Sequence, residues 1–148
     1  MNTEAMAKAY LDDAAYSLQE AREALAAKRY HRAVRRSQES VELSLKAVLR
    51  LLAVEYPREH DVSDVLIKIV ELKELPEWFK KELEAVYEIS KKLTEERGPA
   101  FYGDEGAFIP PSQLYGEEDA ARAVSGAEKV YKLCFRLFKW WRGESEEH

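Results

Sequence analysis

The sequence has a single cysteine and no long hydrophobic run. One cysteine among 148 residues excludes an internal disulfide and a cysteine-rich zinc site. We expect the Cys134 thiol to be buried, because apolar residues flank it. No stretch of about 18 apolar residues is present to cross a membrane. The acidic N-terminus also lacks the apolar segment of a signal peptide. The sequence therefore predicts a cytoplasmic protein.

An overall excess of positive charge is also absent. The chain has 23 Lys and Arg against 28 Asp and Glu, a net charge of −5, which argues against a strongly basic nucleic-acid-binding protein. A local basic patch remains possible. Basic residues are concentrated in one segment, which contains Lys28, Arg29, His31, Arg32, Arg35 and Arg36. Spacings of three and four place several of them on one helix face, where they could bind phosphate. The alternative is a solvated face balanced by Glu39.

Apolar residues recur at helical spacing through most of the chain. The first predicted helix covers about residues 3–27. A short turn around Lys28 to Tyr30 follows, and the second predicted helix runs to about Glu55, where Pro57 ends it. A short third helix ends before Pro76. The fourth starts there and is predicted to stop at Gly98–Pro99, and the last begins at Glu117. The pattern predicts an all-α, up-and-down bundle of four to five helices, with residues 1–148 forming one domain.

The segment between the last two predicted helices is rich in residues that interrupt helices. Residues 98–116 contain four glycines and three prolines, which argues against regular helix. The same segment contains Phe101, Tyr102, Phe108 and Tyr115, which argues against disorder. We therefore expect an ordered loop that lies over the bundle.

Several sequence elements occur in an order typical of one known family. The first helix leads through a tight turn with an aromatic residue into a second helix that has Gln, Val-Glu and Leu-Lys-Ala-Val-Leu elements. The matching positions are Tyr30, Gln38, Val41, Glu42, Leu45 to Leu49, His60, Asp61, Arg97, Tyr102 and Glu117 to Ala121. In this order and spacing, the chain resembles HEPN domains over nearly its whole length.

The resemblance implies a helical bundle that usually forms a homodimer. Some HEPN proteins are ribonuclease toxins paired with a nucleotidyltransferase antitoxin, and others are not catalytic. Catalytic members have an arginine and a histidine separated by four to six residues, and two subunits present these groups in a shared cleft. The resemblance therefore suggests a nucleotide or RNA ligand, a homodimer and a nucleotidyltransferase partner. It suggests no cofactor and no metal.

The catalytic motif is incomplete in this chain. Counting from Arg97, the positions for histidine hold Tyr102, Gly103 and Asp104. Neither His31 nor His60 follows an arginine at the required spacing. The general acid or base that would cleave RNA through the ribose 2′-hydroxyl is therefore missing from the motif that begins at Arg97. Tyrosine, with a pKa near 10, is a poor base at neutral pH.

The sequence leaves three functions open. The leading hypothesis is a non-catalytic nucleotide- or RNA-phosphate-binding module, in which the candidate residues are Arg97, Tyr102, Arg29, Arg32, Arg35 and Arg36. Arg97 could instead bind the last carbonyls of its helix or pair with Glu95 or Glu96. The second hypothesis is a metal-independent endoribonuclease that uses Arg97 and Tyr102 with a histidine from elsewhere, such as His60. The third is a helical scaffold for protein–protein interaction.

Overall fold

The computed structural model describes residues 3–54, 62–71 and 74–143, and in these ranges it contains helices and no strand. This confirms the all-α fold. The helices are α1 (Thr3–Ala26), α2 (Tyr30–Leu51), α3 (Val62–Val70), α4 (Glu77–Lys80), α5 (Leu83–Tyr102) and α6 (Glu117–Trp141). A 3₁₀ turn, Pro111–Gln113, lies between α5 and α6. None of the helices in these ranges is long and apolar enough to span a membrane.

The hairpin of α1 and α2 is held by close packing of small residues. Lys28 makes the turn with a φ of 61°. The buried face of α1 includes Ala7, Ala14 and Ala21, and the Ser40 hydroxyl of α2 donates a hydrogen bond of 2.9 Å to the Ala14 carbonyl oxygen. Small side chains allow the two helix backbones to approach closely, and the antiparallel hairpin fixes the direction of α2.

Helix α2 is the centre of the bundle, since it packs against α1, α3, α5 and α6. Its buried residues include Leu45, Val48 and Leu49, and Phe79 of α4 and Phe138 of α6 belong to the same core. Burial of this many apolar side chains makes α2 a rigid support for any group on its outer face. The prediction that Cys134 is buried is confirmed, and burial raises the pKa of its thiol.

The predicted end of the fourth helix at Gly98–Pro99 is wrong. Helix α5 continues through both residues to Tyr102. A proline ring normally pushes the preceding residue out of the α region by contact with its Cβ, and Gly98 has no Cβ. Pro99 removes only one backbone donor, near the end of the helix, and the next residue, Ala100, is fully buried in the core. The predicted fourth helix is also divided near its start. Its first residues form the single turn of α4, and α5 begins at Leu83.

The segment after α5 is folded back onto the bundle. Asp104 and Ile109 exchange two backbone hydrogen bonds, of 2.8 and 2.9 Å, across an isolated antiparallel bridge. The Tyr115 hydroxyl donates a hydrogen bond of 3.1 Å to the Glu96 carbonyl oxygen. The bridge closes the first part of the segment on itself, and the Tyr115 hydrogen bond ties its end to α5.

Some predicted features fall outside the described residues. They are the end of the second helix near Glu55, the stop at Pro57 and the His60–Asp61 pair. In the part that is described, α2 ends at Leu51 and α3 begins at Val62.

Candidate functional site

A cleft of about 720 Å³ lies between α2 and α5. One helical stripe of residues from each helix lines it: Arg35, Arg36, Gln38, Glu39, Glu42 and Leu43 from α2, and Thr94, Arg97, Gly98, Phe101 and Tyr102 from α5. In both stripes the residues recur at spacings of three and four, the periodicity of one helix face. Because α5 continues past Pro99, Phe101 and Tyr102 lie on the same wall as Arg97. The structure therefore brings together four of the six residues that the sequence suggested.

Arg97 is an exposed residue on the α5 wall of this cleft. The sequence suggested that it could pair with Glu96, but the Glu96 carboxylate turns to α6 and accepts a hydrogen bond of 3.3 Å from Arg122. Among the described residues, no carboxylate lies within ion-pairing distance of the Arg97 guanidinium. Arg97 therefore forms no ion pair among the described residues, although Glu39 and Glu42 line the opposite wall of the same cleft.

Arg35 faces Arg97 from the α2 wall. Its guanidinium carbon lies 4.2 Å from the centre of the Phe101 ring, a cation–π contact across the two helices. Burial lowers the pKa of Arg35, and the positive charges of Arg32 and Arg36 lower it further. Arginine stays protonated in proteins, so these effects mean that the folded protein holds a partly desolvated positive charge here. A bound anion would relieve this repulsion.

Arg36 has the opposite environment. It donates a hydrogen bond of 2.8 Å to Glu39, and its guanidinium also lies 3.9 Å from Glu20 of α1. The hydrogen bond to Glu39 is the main reason that the pKa of Arg36 is raised. Arg36 is therefore largely neutralised within the protein, although it lines the cleft.

The remaining basic candidates lie outside the cleft. Arg29 precedes the first turn of α2, and both Arg29 and Arg32 are exposed residues that do not line the cavity. His31 is buried beside them, and desolvation lowers its pKa, with a further contribution from Arg29, Arg32 and Arg35. The basic segment is therefore divided: Arg35 and Arg36 belong to the cleft, whereas Arg29 and Arg32 belong to the solvated surface.

Two aromatic rings stand at one end of the cleft. Phe101 and Tyr102 are 51% and 63% exposed, and their ring centres lie 4.7 Å apart at a tilt of 60°. Exposed, adjacent rings of this kind give a surface on which a nucleobase can stack. Phe101 was not among the predicted site residues, because the predicted loop separated it from the helix of Arg97 and the family resemblance did not include it. The spacing of Thr94, Arg97 and Phe101 would have identified it if the helix had been extended.

The chemistry of the cleft suits binding better than proton transfer. Arginine offers planar donors for phosphate, and the side-chain amide of Gln38 offers a further donor on the α2 wall, whereas the Glu42 carboxylate on that wall carries a negative charge. Of the described residues that line the cleft, none is a histidine. His60, the histidine of the second hypothesis, lies outside the described residues.

Comparisons with known proteins agree with this architecture. The family model of the HEPN domain matches residues 7–137. A crystal structure of TT1696 from Thermus thermophilus is similar with a TM-score of 0.71 and 25% identity, covering 93% of this chain and 99% of that one. A crystal structure of ST0689, an archaeal HEPN homologue, has a TM-score of 0.57 and 25% identity, over 93% of this chain and 95% of that one. A search of curated proteins gave no match.

Proposed function

Because the chain belongs to the HEPN family, we propose that its α2–α5 cleft binds the phosphate of a nucleotide or an RNA strand without cleaving it. One observation carries the proposal. Arg35 and Arg97, from two different helices, line a single cleft together with the exposed rings of Phe101 and Tyr102. Two positive charges beside aromatic rings suit a nucleotide, because the charges can bind its phosphate and the rings can stack against its base.

The two arginines have complementary roles in the proposed complex. Arg97 binds phosphate oxygens through two parallel N–H donors, since a guanidinium matches the phosphate geometry. Arg35 supplies a second positive charge whose position is held by Phe101. A base attached to the phosphate stacks on the exposed face of Tyr102 or Phe101, where an aromatic contact adds about 1–3 kcal/mol per base.

The proposal is non-catalytic because of the residue that stands at position 102. In the HEPN pattern with the shortest separation, Tyr102 occupies the place of the motif histidine. A phenol can donate a hydrogen bond to phosphate, but tyrosine lacks the imidazole that catalytic HEPN proteins use for proton transfer. The ligand is therefore held and not hydrolysed.

A homodimer in which both subunits border a shared, open cleft is part of the proposal, as is a nucleotidyltransferase partner of the toxin–antitoxin type in the cytoplasm. Support for the dimer comes from exposed aromatic side chains: Tyr102, on the wall of the cleft, is 63% exposed and Phe108 is 92% exposed, and large aromatic groups of this kind are enriched at interfaces. Light scattering at micromolar concentration tests the dimer, and co-purification with the product of a neighbouring gene tests the partner.

The binding test compares Arg97→Ala with Arg32→Ala. Both variants remove one exposed guanidinium and change the net charge equally, but only Arg97 lines the cleft. Labelled ATP and labelled single-stranded RNA are titrated at low and moderate salt, and RNA integrity is followed in the same samples. We expect Arg97→Ala to weaken binding about tenfold or more, as the loss of a charge-assisted bidentate contact does. Arg32→Ala should change it by less than about threefold.

The control separates the cleft from general charge. Equal losses in the two variants would contradict a site at Arg97 and leave only non-specific attraction. If the wild type binds neither ligand, the proposal is wrong, and an interaction scaffold becomes the better interpretation of the fold. RNA cleavage that Arg97→Ala abolishes would instead establish the ribonuclease hypothesis.

A further inference from the structure

A second basic surface lies where α4 meets α6. It surrounds a depression of about 360 Å³, and we call it the Trp78 site. The residues that define it are Trp78, Lys81, Glu82, Lys129, Lys132 and Arg136. It therefore combines four positive charges with one negative charge on a chain whose net charge is −5. Such a local reversal of sign creates a field that attracts anions.

The site has a fixed aromatic floor. The Trp78 ring is half-buried and meets the ring of Phe79 edge to face, with the centres 6.3 Å apart. Phe79 is completely buried in the core, so its contact holds the Trp78 ring in place. The guanidinium carbon of Arg136 lies 3.9 Å from the centre of the Trp78 ring. Tryptophan and guanidinium together form a layered platform that is held by the fold.

The lysines are arranged around this platform. Lys129, Lys132 and Arg136 follow one another on α6 at spacings of three and four, so they lie on one face of the helix. Lys129 forms an ion pair of 3.2 Å with Glu82, which fixes one end of the row. Lys81 and Lys132 are exposed residues that line the same depression, and among the described residues neither has an ion pair. These two side chains supply the solvent-exposed charges of the site.

The Trp78 site is separate from the α2–α5 cleft. Glu82 borders α5 at its start, whereas Arg97 lies fifteen residues further along. At a rise of about 1.5 Å per residue, this separation is about 22 Å. The two sites share none of their lining residues. A single phosphate group cannot reach both, but a strand of several nucleotides can.

We propose that the Trp78 site binds single-stranded nucleic acid as a second contact, distant from the cleft. The inference rests on the proposed function insofar as the ligand is RNA. Basic side chains that follow one helix face can track a phosphate backbone, and the Trp78–Arg136 platform gives a base a surface on which to stack. An acidic peptide would use the charges but would leave the aromatic platform without a partner, so the platform favours nucleic acid.

The test removes the two exposed lysines. The variant Lys81→Gln/Lys132→Gln is compared with Lys68→Gln/Lys91→Gln, which removes two exposed lysines that line neither site. Binding of a fluorescein-labelled oligouridylate of about 15 nucleotides is measured over a range of salt concentrations. A plot of the logarithm of the binding constant against the logarithm of the salt concentration has a negative slope. The site variant should have a slope that is less negative by about 1.4, since each phosphate contact on a single strand contributes about 0.7. The control should keep the wild-type slope.

Each outcome decides between the two proposals. Equal slopes in the site variant and the control would overturn the Trp78 site, even if Arg97→Ala shows that the cleft binds RNA. If the Lys81→Gln/Lys132→Gln variant binds RNA more weakly and Arg97→Ala binds it normally, the proposal for the Trp78 site is supported and the proposal for the α2–α5 cleft is overturned. Absence of binding by the wild type would overturn both. If polyglutamate of matched charge displaces the RNA as effectively as unlabelled oligouridylate, the ligand is an acidic chain in general and the assignment to nucleic acid is wrong.

Discussion

The guanidinium carbon of Arg35 lies 4.2 Å from the centre of the Phe101 ring, so α2 and α5 are joined at the wall of the cleft by a cation and an aromatic face. This contact keeps Arg35 beside the cavity at a place where Arg32 and Arg36 repel it. It also fixes the last turn of α5, which carries Tyr102. One contact therefore positions residues on both walls.

The first prediction concerns the strength of this contact. In a double-mutant cycle with Arg35→Met and Phe101→Leu, we expect a coupling free energy of about 0.5–1 kcal/mol, the usual range for an exposed cation–π pair. Methionine and leucine retain apolar volume, so the cycle isolates the interaction between charge and ring. The measurement is urea denaturation of the four proteins. Strict additivity would mean that the contact does not stabilise the folded state.

The second prediction is a gain of function at position 102. Tyr102→His places an imidazole on the cleft wall five positions after Arg97, the arrangement of catalytic HEPN proteins. We expect this variant to cleave RNA slowly, with a rate that decreases below about pH 6.5 as the imidazole becomes protonated. Electrophoresis of labelled RNA measures the cleavage. The double variant Arg97→Ala/Tyr102→His is the control, and equal cleavage by it would point to a contaminating nuclease.

The third prediction concerns the glycine that ends α5. Gly103 has φ 75° and ψ −160°, a conformation that is nearly restricted to glycine. A Cβ at this residue would also lie 2.2 Å from the Ile109 carbonyl oxygen. We expect Gly103→Ala to lower the free energy of unfolding by about 1–3 kcal/mol. Thermal or urea denaturation measures this change.

The neighbouring Gly106 is the matched control for this substitution. A Cβ there has an ordinary contact of 3.6 Å with the Asp104 carboxylate, and its φ is outside the left-handed region. Gly106→Ala should therefore leave stability within about 0.5 kcal/mol of the wild type. Similar losses in the two variants would show that the bridge between Asp104 and Ile109 tolerates Gly103→Ala as well as it tolerates Gly106→Ala.

The fourth prediction concerns pH. Burial is the main reason that the pKa of His31 is below its ordinary value of 6.5, and Arg29, Arg32 and Arg35 contribute. Because the folded pKa is below the unfolded one, the unfolded chain binds more protons as the pH falls through 6.5. His31 therefore lowers the free energy of unfolding as the pH falls, until it is itself protonated in the folded state.

Comparison of the wild type with His31→Gln isolates this effect. Glutamine does not titrate, and the carboxylates that titrate at lower pH contribute equally to both proteins. Between about pH 7.5 and 5.5, the wild type should lose more stability than the variant, as measured by urea denaturation. Parallel pH profiles would show that His31 has the same proton affinity in the folded and unfolded chain.

The sequence predicted the helical bundle because each long helix has a continuous apolar stripe, and such stripes depend on local spacing alone. It did not predict the end of α5. Gly98 and Pro99 are individually strong stop signals, but the lack of a Cβ on the glycine and the burial of Ala100 together outweigh them. The second of these causes is a tertiary contact, which periodicity does not reveal.

The candidate site was predicted only in part, because some of its features depend on tertiary contacts. Arg97 and Tyr102 were selected by resemblance, and Arg35 and Arg36 by charge, and all four line the cleft. Charge alone could not show that Arg35 lines the cleft and Arg29 does not, because this depends on where each residue lies relative to α5. Likewise, the Arg36–Glu39 pair is local in sequence, but the approach of Glu20 depends on how α1 packs against α2.

The proline within α5 has a mechanical consequence for ligand binding. Pro99 has no N–H to donate to the preceding turn, so the short segment that bears Phe101 and Tyr102 is tied to the segment that bears Arg97 by one hydrogen bond fewer than in an uninterrupted helix. The last turn of α5 therefore depends on the burial of Ala100 and on the contact between Arg35 and Phe101 to keep its position at the cleft. A phosphate bound by both Arg97 and Tyr102 would link the parts of α5 on either side of Pro99. Ligand binding would in this way compensate for the absent backbone hydrogen bond and stiffen the helix that forms the cleft.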